Sequence, residues 1–145
     1  MAIPESAEVA AHAERERFMK EIRLDYWGRP FYYDMNGKPL SMEGWTEAYG
    51  MDRHIGDTYL HLRGHVYRVS TVWLGLNHGF SPDSPPLIFE TMVFMDGDMS
   101  GLDIMDRYST KAQAKAGHAR ICAVVRKMIR EMPRRKQLIS HGSKP

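Results

Sequence analysis

From Val69 to Phe94 the chain reads VSTVWLGLNHGFSPDSPPLIFETMVF, two apolar runs separated by a proline-rich polar stretch. The first run, Val69–Leu76, is β-branched and aromatic, is too short for an independent helix, and is bounded by Asn77, His78 and Gly79. It predicts a buried strand. Leu87–Met95 repeats the pattern, and both runs are more apolar than a half-solvated strand needs, so they belong in the middle of a sheet covered on at least one face. Alternation puts Ile88, Glu90, Met92 and Phe94 on one face of the second strand and Leu87, Phe89, Thr91 and Val93 on the other.

The same patterning predicts the remaining elements. Strong helix formers run from Ala7 to about Leu24, but their apolar face is thin (Ala11, Phe18, Ile22), which predicts a peripheral helix or an arm on a neighbour. Asn36-Gly37 between short extended segments predicts a tight hairpin with both turn residues at positive φ, and Pro39 confines its second arm to a sheet edge. Ser41 can cap a helix from Met42 to Tyr49, stopped by Gly50, with Trp45 and Tyr49 facing the core together. Ile55–Leu62 and Val66–Leu76 form a second hairpin turning at Arg63-Gly64-His65. The alternative is one long strand with His61, Arg63, His65 and Tyr67 on a single polar face. Thr110 and Gln113 make a capping box for a last helix. Its apolar stripe reads Ile121, Val124, Val125, Met128, Ile129 and Met132, Pro133 ends it, and Gly117 permits close approach to a strand.

The expected class is therefore α+β: a mainly antiparallel sheet of four to five strands packed by a long C-terminal helix, with a short helix and a peripheral N-terminal helix. Residues 1–24 form the helical arm, 25–133 a single domain and 134–145 a basic, disordered tail. The 145 residues are enough for one core without staples. The one cysteine, Cys122, excludes a disulfide framework and a Cys-based zinc site, and its apolar neighbours predict a buried, inert thiol. No run is apolar for the length a bilayer demands, and the N-terminus lacks the order of a secretory signal, so a soluble cytoplasmic protein without a membrane partner is expected.

Net charge is only +2, but up to Asp106 there are 9 Lys and Arg against 17 Asp and Glu, a net of −8, and from Arg107 onward 11 against 1, a net of +10. The basic charge lies on the last helix and its exit, at Arg120, Arg126, Lys127, Arg130, Arg134 and Arg135. These residues can meet phosphate in nucleic acid or form a solvated helix face. No helix-turn-helix, zinc-finger or aromatic RNA-recognition pattern accompanies them.

Glu90 is the one acid in a central strand, so it must face solvent, own an ion-pair partner, or serve a ligand. Of the histidines, His78 ends one central strand and His118 emerges from the helix covering the sheet. No pair has the spacing of a His-Glu-x-x-His site, and Asp96-Gly97-Asp98 lacks the later ligands of a calcium loop, so no metal or other cofactor is assigned. No nucleophile elbow or phosphate loop is present, and no catalytic residue is assigned.

The segments STVWLGLNHGF…PPLIFETMVF and DRYST…A..GH.R, with YYDMNGKPLSMEGW upstream, resemble a family of short bacteriophage and prophage proteins of unassigned activity. The resemblance covers about 31–125 and implies a phage-encoded protein in the host cytoplasm, with nothing catalytic to carry over. The expected function is a non-enzymatic binding protein that acts against a host defence or on a host component. It would sequester a nucleotide-like small ligand or a host protein, through Trp73, Asn77, His78, Glu90, Arg107, Tyr108 and His118. In the nucleotide version Trp73 and Tyr108 stack the base while Arg107 and His78 meet phosphate. The alternatives are a nucleic-acid binder using the basic helix and a small metal-dependent hydrolase using Glu90. A thin helix and an open sheet edge also make a homodimer an expectation.

Overall fold

In the computed structural model, which describes residues 5–100 and 102–134, the chain opens with helix α1 (Glu5–Glu21). Residues 6–21 are all exposed, and Ile22, just past the helix, is the first buried side chain. The helix stands off the body because it has no apolar stripe to bury.

Strands β1 (Tyr32–Tyr33) and β2 (Pro39–Leu40) form the expected hairpin, with Tyr33 opposite Pro39. Its turn differs from expectation. The loop spans Asp34 to Lys38, only Gly37 takes positive φ (80°), and Asp34 Oδ1 accepts from the backbone N–H groups of Asn36 and Lys38. An aspartate-centred loop replaces the two-residue primed turn because Asp34 satisfies the backbone that the shorter turn would have paired.

Helix α2 (Met42–Tyr49) is capped by Ser41, whose Oγ accepts from Gly44 N. Trp45 turns inward and donates from Nε1 to Leu74 O at 2.9 Å. Tyr49 does not join it in the core. Its ring stacks on Trp45 at 4.7 Å, stays 38% exposed, and is covered from outside by the Arg53 guanidinium.

The main sheet begins with β3 (His54–Leu62) and β4 (His65–Trp73), joined by a two-residue turn in which Arg63 (φ 51°) and Gly64 (φ 79°) are both left-handed. The hairpin prevails over the single long strand. Its remaining members are β5 (Phe89–Met95), β6 (Asp98–Met99) and β7 (Met105–Tyr108). All pairings are antiparallel in the order β3-β4-β5, and β7 and β6 share the far edge of β5.

The run expected as a strand to Leu76 leaves the ladder at Trp73. The N–H groups of Leu74 and Gly75 both reach Ile88 O, Gly75 O accepts from Tyr33, and Leu76 bridges Tyr32, so the segment passes from the main sheet to the small hairpin. Gly75 allows this switch, with φ at 67° and the rings of Trp73 and Trp45 filling the space a side chain would occupy.

Helix α3 (Lys111–Glu131) starts from the Thr110–Gln113 capping box and lies across β3, β4, β5 and β7. Its buried face is Ala114, Gly117, Ile121, Cys122, Val125 and Ile129. Val124 and Met128, expected in the stripe, are each 36% exposed, and Met132 is exposed. The helix is rotated toward its small residues because the N-terminal half passes directly over Tyr108, where only Gly117 and Ala114 fit.

The covered sheet face consists of Leu60, Tyr67, Val69, Thr71, Trp73, Phe89, Thr91, Val93 and Tyr108, all buried. Ile88, expected beside Glu90, precedes β5 and is buried with Trp73 and Phe89. Glu90, Met92 and Phe94 lie on the opposite face. Among the described helices none is long and apolar enough to cross a membrane. Of the expected tail Arg134 is described, whereas Arg135 and the residues after it lie outside the described residues.

Candidate functional site

The seven residues expected to share a ligand divide between the two faces of the sheet. Trp73 (1% exposed) and Tyr108 (7%) are core residues beneath α3, so neither ring is open to stack a base. Burial pushes the Tyr108 phenol's pKa up, with Thr91 and Asp106 near its hydroxyl, and neither that hydroxyl nor Trp73 Nε1 has a hydrogen-bond partner among the described residues.

His118 occupies the middle of the covered face. Its Nδ1 lies 2.8 Å from Thr71 Oγ1 and its Nε2 2.8 Å from Thr58 Oγ1, while Thr71 Oγ1 also lies 2.6 Å from Thr91 Oγ1. The imidazole therefore links β3, β4 and α3, and Thr71 passes the chain on to β5. Gly56 makes room for it, since a methyl there would meet the ring at 2.6 Å. Burial lowers the pKa of His118, against the pull of Asp57, so the ring is neutral near pH 7. A neutral ring with both nitrogens engaged holds the core together and has no free atom for a ligand. Cys122 Sγ, 3.7 Å from Nε2, is likewise buried.

On the other face Glu90 meets Arg107, its cross-strand neighbour, with Nε 2.9 Å from Oε2. Their side chains are 12% and 23% exposed, which makes this a largely desolvated pair. His78 stands in the field of both charges; burial and Arg107 lower its pKa while Glu90 opposes them. The acid found in the sequence thus has its partner, and Arg107 is engaged. Glu90→Gln is expected to cost about 1–2 kcal/mol by leaving a half-covered guanidinium without its counter-charge. Urea unfolding measures this, and an unchanged midpoint would mean that the pair contributes nothing.

Asn77 caps its own loop, accepting from Gly79 N at 2.8 Å. That loop is fastened by Arg29, which donates from Nη1 to Pro82 O and Ser84 O and from Nε to Asp25. No local pattern marks this strap, because Arg29 and its loop partners are more than fifty residues apart.

The basic residues converge better. Arg126, Arg130 and Arg134 join Arg63 around an apolar floor of Leu62 and Ile129, in a hollow of about 550 Å³ with no carboxylate in its lining. Arg63 donates to Arg130 O and Met132 O, capping the C-terminus of α3 from the neighbouring turn. That contact holds a non-glycine residue at positive φ, a conformation costing about 1–2 kcal/mol. Lys127 is exposed on the same helix, whereas Arg120 is taken by Asp106. Arg63 is the member of this set that the sequence did not group with the basic helix; it stood only in the β3–β4 turn or, in the long-strand alternative, on a polar face with His61, His65 and Tyr67.

Among the described residues no group of three or more His, Cys, Asp or Glu could hold a metal ion. Comparison with family models, with curated proteins and with solved structures gave no match to this chain.

Proposed function

We propose that the protein is a non-enzymatic binding protein and that its partner is nucleic acid, held by the basic side of α3 and the β3–β4 turn. The observation that carries this reading is the arginine hollow. Arg126, Arg130 and Arg134 form no ion pair with a described carboxylate, and Arg63 is fixed beside them by its bonds to the helix end. Guanidinium groups clustered without acids are suited to phosphate oxygens, which they meet in bidentate fashion. The nucleotide-sequestering version loses support because Trp73 and Tyr108 are buried and Arg107 is committed to Glu90. The resemblance to short phage proteins sets such a module in an infected host cell, acting on a host component or against a host defence.

The test is fluorescence anisotropy with short single-stranded and duplex DNA and RNA at several salt concentrations. Four phosphate contacts give a slope of log K against log salt of about −3 to −4. Arg126→Ala with Arg130→Ala should weaken binding and reduce that slope by about 2. Undetectable binding at low salt, or binding indifferent to salt, would eliminate the reading.

A further inference from the structure

We propose that the protein forms a two-fold dimer in which β3 pairs with β3 of a second copy, antiparallel and centred on Tyr59. β3 is the end strand of the sheet, and among the described residues its outer edge meets no partner. It is nine residues long and contains neither proline nor lysine, the residues that commonly blunt an open edge. Its one irregularity lies between His54 and Gly56, leaving the stretch to Leu62 regular.

The hairpin fixes which backbone groups are free. Its two-residue turn makes Leu62 and His65 the closing hydrogen-bonded pair. By the alternation of an antiparallel ladder, Leu60 and Thr58 then also bond to β4, while His61, Tyr59 and Asp57 turn their N–H and C=O groups outward. A second β3 must pair through those three residues.

Side-chain chemistry selects the register. Centring on Asp57 opposes two carboxylates, centring on His61 uses only the end of the strand, and centring on Thr58 or Leu60 leaves Asp57 without an imidazole or other basic side chain opposite it inside the strand. Centring on Tyr59 sets Asp57 against His61 of the second copy, twice, with the two Tyr59 rings side by side. Tyr59 is 55% exposed, and Asp57 and His61 are exposed on the same face. Arg68 holds Asp57 in place through bonds of 2.7 and 3.0 Å. Because α3 lies on the other face, the axis sets both copies of that helix on one side of a continuous sheet. This inference is independent of the nucleic-acid reading.

Sedimentation velocity of the full chain, from micromolar to sub-millimolar concentration, tests it. The wild type should show a reversible monomer–dimer equilibrium. Tyr59→Pro removes an outward N–H that β4 does not use, so it should stay monomeric with the wild-type circular dichroism spectrum. His61→Asp replaces two attractive pairs with two repulsive ones and should weaken the dimer by about tenfold, whereas His61→Lys should leave it intact. A wild type that is monomeric throughout overturns the proposal, as does a dimer that His61→Asp leaves as tight as before.

Discussion

Gly117→Ala is expected to destabilise the protein by about 2–3 kcal/mol, although alanine is the better helix former by about 1 kcal/mol. A methyl on Gly117 would lie 2.2–2.3 Å from Cζ, Cε1 and the hydroxyl of Tyr108. Neither side can yield cheaply. Tyr108 is fixed on β7 opposite Phe89 and is 7% exposed, so α3 must lift off the sheet and open contacts with Trp73 and Phe89. Alanine-to-glycine changes at exposed positions of the same helix, such as Ala116 or Ala119, should cost no more than about 1 kcal/mol. Urea midpoints measure both, and a Gly117→Ala protein as stable as the wild type would show that the helix does not depend on that close approach. Tyr108→Phe should be neutral or slightly stabilising, because it removes a buried hydroxyl that meets no hydrogen-bond partner among the described residues.

His118→Leu should cost about 2 kcal/mol at neutral pH, since it leaves the Thr58 hydroxyl without its partner and Thr71 with only Thr91. Gly56→Ala should produce a similar loss by displacing the imidazole. The histidine also gives a pH signature. Its folded pKa is lowered, so below the unfolded value of about 6.5 the unfolded chain binds a proton that the folded chain refuses. Its contribution is therefore complete above that pH and lost as pH falls toward the folded pKa. Asp57 is the charge acting on the ring, and Arg68 neutralises it. His78 is shifted in the same direction, so the diagnostic quantity is the gap between wild type and His118→Leu, which should narrow from pH 7.5 to pH 5.5. A gap that stays constant across that range would mean the imidazole titrates alike in both states.

The candidate site was legible only in part, and the two central strands show why. Alternation along Leu87–Met95 separated Glu90 from Phe89 and Val93 correctly. It could not say which side α3 covers, because both sides carry large apolar groups. Thr71 and Thr91 decided it: they read as polar, yet both are 0% exposed, since each satisfies the other's hydroxyl and Thr71 also meets His118. Trp73 and Tyr108 accordingly read as open aromatics and proved to be core. The small α3 residues reached the buried stripe in place of Val124 and Met128 for a related reason. Helical periodicity fixes a face to within a residue or so, and the ring of Tyr108 sets its final rotation.

Features governed by neighbours a few positions apart were for the most part readable from the chain, the Asp34-centred loop in place of a tight Asn36-Gly37 turn being the exception. The Ser41 cap, the Thr110–Gln113 box, the β3–β4 turn and the strand character of the apolar runs depend on backbone groups that short polar side chains or glycine must satisfy or accommodate. Which charges meet depends on contacts between distant parts of the chain. Glu90 finds Arg107, Arg29 fastens the Pro82–Ser84 loop, and Arg63 closes the far end of α3 beside three other arginines. Those pairings rest on strand register and helix placement across tens of residues, and no local pattern encodes a distance through space.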